Sequence, residues 1–142
     1  MTILRCIEKL EKTSKPSERK EIIKEEYNNN RIFREYLHMI YGEVPPAIAL
    51  KIPKYNKENI PLGLDYSNLE RSLGKIKTAL FLEELDDKKR NKLLIQIAES
   101  ISEPELDMVK AIMKKRWKYL TIKGYMEISG LGLDGVIANA HV

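Results

Sequence analysis

Apolar residues along this chain recur at spacings of three and four, and no stretch clearly alternates apolar with polar residues. A period near 3.6 places such residues on one helix face, whereas a half-buried strand needs a period of two. Leu69, Leu73, Ile76 and Leu80 show the helical spacing most cleanly, with Tyr66 and Phe81 near the ends of the run. Ile3, Leu4, Ile7 and Leu10 follow the same rule, with Cys6 on their side. Ile32, Phe33, Tyr36, Leu37, Ile40 and Tyr41 form a wider stripe, and Ile22, Ile23 and Tyr27 a narrow one. The pattern predicts an all-α protein of six or seven helices.

Helix ends are marked as well. Pro16 suits a first helical position, preceded by Ser14 or Lys15, and Asn28-Asn29-Asn30 reads as a polar break and cap. Gly42 is a natural stop. Asp86-Asp87 can cap a helix whose core face is Leu93, Leu94, Ile97, Ala98 and Ile101. Ser102-Glu103-Pro104-Glu105 has the form of a capping box. The helix it opens uses Leu106, Val109, Met113 and Trp117 as its core face. Thr121 is placed to cap a last short helix through Ile128, stopped by Gly130. Two helical groups, residues 1–42 and 66–130, are therefore expected to form one domain over residues 1–130. They are joined by residues 43–65, where Pro45, Pro46, Pro53 and Pro61 favour an irregular path. That loop still carries Ile48, Leu50, Ile52 and Tyr55, so it is expected to pack along a surface. Residues 131–142 read as a flexible tail.

Composition narrows the function classes. With 142 residues the chain can bury one core. Its single cysteine excludes an internal disulfide framework and a Cys-rich zinc module, and Cys6 reads as a small core residue. No apolar run approaches the roughly 20 residues of a membrane span, and the start lacks a signal-peptide core. A soluble, cytoplasmic protein with no membrane partner is expected. The histidines are His38 and His141, with no H-x-x-x-H or C-x-x-C spacing, so neither metal nor cofactor is expected. Cys6 and His38 share the first helical group, but nothing marks them as a nucleophile and its base. Gly130 to Gly135 lacks the lysine and hydroxyl residue of a phosphate loop. Glu83-Glu84 and Asp86-Asp87 read as helix-end residues. No catalytic residue emerges, and the chain is read as a non-enzyme.

Charge is more informative by location than by sum. The 25 Lys and Arg against 21 Asp and Glu leave only +4, and each segment of the chain is near neutral. Within residues 103–142 the charges are sorted: Glu103, Glu105 and Asp107 open the helix, and six basic residues without an acid run from Lys110 to Lys123. On a continuing helix Lys110, Lys114 and Lys118 form one row, flanked by Lys115 and Arg116 and interleaved with Trp117 and Tyr119. Such lysines suit phosphate contacts. Acids at a helix start and bases at its end also complement the helix dipole, so the sorting has two explanations. Trp117 falls on the core stripe and reads as core before it reads as a base-stacking platform. A second basic row, Arg31 and Arg34 with Lys20 and Lys24, is diluted by Glu21, Glu25, Glu26 and Glu35.

Three stretches carry a family likeness: Pro61 to Leu69 (PLGLDYSNL), Asn91 to Ser100 (NKLLIQIAES) and Glu105 to Ile112 (ELDMVKAI). Over residues 50–130 the chain resembles an uncharacterised family of small proteins of T4-like tailed phages. More distantly, the layout is similar to the N-terminal DNA-binding domain of phage ATP-dependent DNA ligases. The stretches that match are Glu105 to Arg116 followed by Thr121 to Gly130, together with Ile22-Ile23-Lys24 and Asn30 to Tyr41. In that family the helical domain grips the duplex backbone through helix ends and basic side chains. The resemblance implies phosphate contacts by Lys114, Lys115, Arg116 and Lys118, with Lys123 nearby, and Lys110 completes the basic run. Two departures stand out. Tyr119-Leu120 replaces the glycine turn usual after the basic helix end, and the chain ends where a ligase begins its nucleotidyltransferase domain. Gly132-Leu133-Asp134-Gly135 is similar to the ligase lysine-x-Asp-Gly motif but has glycine at the lysine position, so no ligation is expected. The expected function is non-enzymatic binding of double-stranded DNA by a phage-encoded accessory protein in the host cytoplasm. The alternative is a module that binds or inhibits a host or phage replication or transcription protein.

Overall fold

The computed structural model of the chain describes residues 2–42, 51–56 and 67–130. The described residues contain seven helices: α1 (Ile3–Lys12), α2 (Pro16–Asn29), α3 (Arg31–Tyr41), α4 (Leu69–Phe81), α5 (Asp87–Ser100), α6 (Glu103–Lys114) and α7 (Ile122–Ser129). No strand occurs among them, and the class is all-α as expected. The expectations for most of the Pro-rich connection, for Tyr66 and for the tail at 131–142 lie outside the described residues.

Local caps set most helix ends. Asn30 accepts from the Ile32 and Phe33 amides, and Thr121 accepts from the Gly124 amide. Ser102 and Glu105 form the full reciprocal capping box. Each cap satisfies donors that the first turn leaves without partners. Gly130 ends α7 at φ 73, a left-handed conformation natural to glycine. Asp86 occupies the α5 cap position but makes no capping bond with its side chain, so only its charge can favour that helix start.

The two helical groups interlock rather than stand apart. α4 pairs with α5, α6 packs on α1, α3 and α4, and α7 packs on α2 and α3. One core cluster results, including Ile3, Cys6, Phe33, Leu37, Ile76, Leu94, Ile97, Val109 and Ile112. In the connection, Ile52 and Tyr55 pack against this core, and the Tyr55 hydroxyl donates to Glu103 (3.3 Å). The Asn56 amide donates to Glu99 (3.0 Å), so this part of the connection lies along the α5–α6 corner.

Polar groups fasten the interior. The Glu105 carboxylate is 2% exposed. It accepts from the Ser102 hydroxyl (2.8 Å) and amide (3.3 Å), and from the Leu69 amide (2.8 Å) at the start of α4. The Tyr36 hydroxyl donates to the Leu69 carbonyl (2.6 Å), and the Ile3 amide donates to Glu70 (2.7 Å). Burial, with Glu70 and Glu105 nearby, raises the Tyr36 phenol well above its ordinary value. Arg90 is buried in the α4–α5 corner, where it donates to the carbonyls of Ala79 (2.6 Å), Leu82 (2.6 Å) and Leu85 (3.3 Å). Removing one partner of a buried charged bond strands the other. Glu105→Ala is expected to cost about 3 kcal/mol in urea unfolding, against about 1 kcal/mol for Ser102→Ala, which loses mainly a cap.

Candidate nucleic-acid interface

The basic run does not lie on one continuous helix. Its expected row required α6 to continue through Trp117, but α6 ends at Lys114. Lys115 adopts the left-handed conformation (φ 59, ψ 35), the one positive-φ residue other than glycine among the described residues. The Lys115 amide bonds the Ile112 carbonyl (3.2 Å) and the Arg116 amide bonds the Ala111 carbonyl (3.1 Å). This is a Schellman stop with lysine where glycine is usual. A side chain in that conformation costs roughly 1–2 kcal/mol. Tertiary contacts hold it there. The Lys115 ammonium donates to the Met39 carbonyl (2.7 Å) on α3, and burial lowers its pKa.

The chain then turns through Trp117-Lys118-Tyr119-Leu120, closed by the Leu120 amide on the Trp117 carbonyl (3.3 Å). α3 anchors this turn at two further points. The Tyr41 hydroxyl donates to the Leu120 carbonyl, and Phe33 meets Trp117 edge-on with ring centres 6.2 Å apart. Tyr41 also stacks on Tyr125 of α7 (4.8 Å). Gly124 lets α7 approach closely, since a Cβ there would lie 2.8 Å from a Leu120 methyl.

The result is an open depression of about 540 Å³ lined by Asp107, Lys110, Ala111, Lys114, Arg116, Trp117 and Lys118. Four cations of the expected set therefore meet at one place, three of them exposed and Lys110 half-buried. Lys115 points the other way, into α3, and Lys123 is exposed on α7 outside the lining. Trp117 is only 6% exposed, held by Phe33 and by Tyr119 (5.2 Å, edge-on). It forms part of the lining while belonging to the core. Asp107 is the single acid in the lining and tempers the positive field. Arg31, Arg34, Lys20 and Lys24 do not join this group. Arg34 donates to the Tyr27 carbonyl (2.8 Å), and Lys20 pairs with Glu127.

The other chemistry weighed in the sequence falls elsewhere. Cys6 is fully buried, and its thiol is pushed up to about 12, first by burial and then by Glu26. His38 bonds the Tyr27 hydroxyl through Nε2 (3.0 Å) and meets Tyr125 edge-on. Among the described residues no three His, Cys, Asp or Glu side chains gather as a metal site, and no helix is long and apolar enough to cross a membrane. No protein-family model, curated protein or solved structure matches the chain.

Two outcomes follow from these placements. Lys115→Gly and Lys115→Ala both lose the Met39 bond, but only alanine keeps the left-handed strain. The glycine variant should be the more stable by about 1 kcal/mol in thermal melts. The His38 pKa is lowered, first by burial and then by Arg34. The unfolded chain therefore takes up this proton first, near its ordinary pKa of about 6.5. The contribution of His38 is fully present above that pH and is lost as pH falls toward the folded value. Melts of His38→Gln should lack this part of the acid sensitivity.

Proposed function

We propose that the chain is a non-enzymatic double-stranded DNA-binding protein that holds the phosphate backbone at the α6 end, with little sequence readout. The observation that carries this reading is the convergence of Lys110, Lys114, Arg116 and Lys118 on one open depression. Dipole complementarity accounts for bases near the end of α6, but Arg116 and Lys118 lie beyond that helix. Their gathering costs mutual repulsion, which an anionic ligand relieves. Four of the seven lining residues are Lys or Arg, side chains that supply many of the contacts to phosphate oxygens. Trp117 is nearly buried, and the half-buried Tyr119 ring already carries Lys118 at 5.0 Å and Arg19 at 5.3 Å, whereas binders of single strands rely on open rings. Duplex DNA is therefore favoured over single strands. Lys123 adds one exposed cation on the next helix. The likeness to the ligase DNA-binding domain and to a phage family agrees with this reading and suggests a phage accessory protein acting in the host cytoplasm.

The rival, a partner protein, has less support in the surface. The large apolar side chains exposed among the described residues are Leu82 and Ile122. Among the described residues these two make no extended apolar face, and Ile48 and Leu50 of the Pro-rich connection, which favour the rival in the sequence, lie outside them.

Polarisation binding to short duplexes at several salt concentrations tests the proposal. Each phosphate contact contributes about 0.9 to the log–log salt slope. Replacing Lys110, Lys114, Arg116 and Lys118 together by Gln should flatten that slope by about 3.6. Lys115→Gln should leave it unchanged. Affinity that ignores salt, or that survives the fourfold replacement, would sink the reading. A stoichiometric protein retained in pull-downs after nuclease treatment, with no duplex binding by the pure chain, would favour the rival.

A further inference from the structure

One cation outside the α6 region faces the same turn. Arg19 lies on α2, and its Nε–H donates to the Thr13 carbonyl in the α1–α2 corner. Its guanidinium carbon lies 5.3 Å from the centre of the Tyr119 ring. The Lys118 ammonium lies 5.0 Å from the centre of that same ring. One aromatic ring thus gathers two cations, one from each helical group. Neither has a carboxylate partner among the described residues, whereas neighbouring Lys20 pairs with Glu127 of α7. The Lys20–Glu127 pair bridges α2 and α7, which also pack on each other, beside Arg19. The quadrupole of an aromatic ring attracts each cation but does not neutralise either. With Nε committed to Thr13, the terminal nitrogens of Arg19 keep the fork that matches two phosphate oxygens.

We propose that the anion-binding surface runs from the end of α6 across Tyr119 onto α2. In this arrangement Arg19 is a further phosphate-binding cation, and Tyr119 is the residue that holds Arg19 and Lys118 at one ring. The proposal rests on the duplex-binding reading and extends it to both helical groups. A duplex backbone, with its regular line of phosphates, suits a surface whose cations come from more than one element. Tyr119 itself touches no phosphate and acts through the two cations.

The test measures duplex affinity and salt slope for the full chain and for variants whose folding is checked by circular dichroism and melting. Arg19→Gln should weaken binding about eightfold at about 0.1 M salt and flatten the slope by about 0.9, the loss of one contact. Arg19→Lys, which keeps the charge, should restore most of the slope. Tyr119→Phe keeps the ring and should bind as the parent does. Tyr119→Leu removes no charge but should weaken binding. That effect should vanish when Arg19 and Lys118 are both already Gln. A full loss with Tyr119→Leu in that background would make the ring merely structural and overturn its positioning role. If Lys114→Gln weakens binding and Arg19→Gln does not, the extension onto α2 fails while duplex binding stands. If the full chain shows no salt-dependent duplex binding, both fail together.

Discussion

The buried carboxylate of Glu105 is the constraint on which the arrangement of helices depends. A carboxylate removed from water is costly unless its oxygens are hydrogen-bonded. Here the bonds come from the start of α6 and the start of α4 at once. The next residue along, Glu70, takes the first amide of α1, and Tyr36 of α3 takes the Leu69 carbonyl. Four helices thus meet at one turn of α4. A shift of any one of them would leave a buried polar group without its partner, a larger penalty than loosened apolar contacts alone.

That junction has a counterpart at the other end of α6. There the Met39 carbonyl takes the Lys115 ammonium, and the Tyr41 hydroxyl reaches the Leu120 carbonyl. α6 is therefore pinned at both ends by α3 or by groups that α3 touches. The acids at its start and the bases at its end are put to different uses. Glu105 is inside the fold, Lys115 is inside the fold, and the cations on either side of Lys115 face the depression. One run of like charges is divided by a single backbone reversal into a structural lysine and a set open to solvent.

Much of the helical layout was legible because its signals are local. The Ser102–Glu105 box, the Asn30 and Thr121 caps and the Leu69-to-Leu80 spacing each act within a turn or two. The stop at Lys114 was not legible. Residues 115–117 carry no glycine or proline, and the apolar stripe continues to Trp117, so local rules extend the helix. What holds the stop is tertiary: the Lys115 bond to α3, with Tyr41 and Phe33 of α3 anchoring the turn that follows, all far away in the chain. The burial of Arg90 was hidden for the same reason, since a lysine- and arginine-rich helix start reads as solvated until its packing is known. The second role of Glu105, on Leu69, lies beyond the reach of a capping motif. In the candidate site the residue types were readable, but the direction of Lys115 and the approach of Arg19 to Tyr119 arise only from tertiary packing.

Trp117 is the only tryptophan in the chain, and it lies between the core and the floor of the depression. The protein therefore carries one indole fluorophore, wedged against Phe33 and Tyr119 and next to Lys114, Arg116 and Lys118. Its emission reports two things without an added label. Exposure of the ring on unfolding gives one optical signature, and a change in the charge around a still-buried ring gives another. The stability of the fold and the occupancy of the surface can thus be followed through a single side chain.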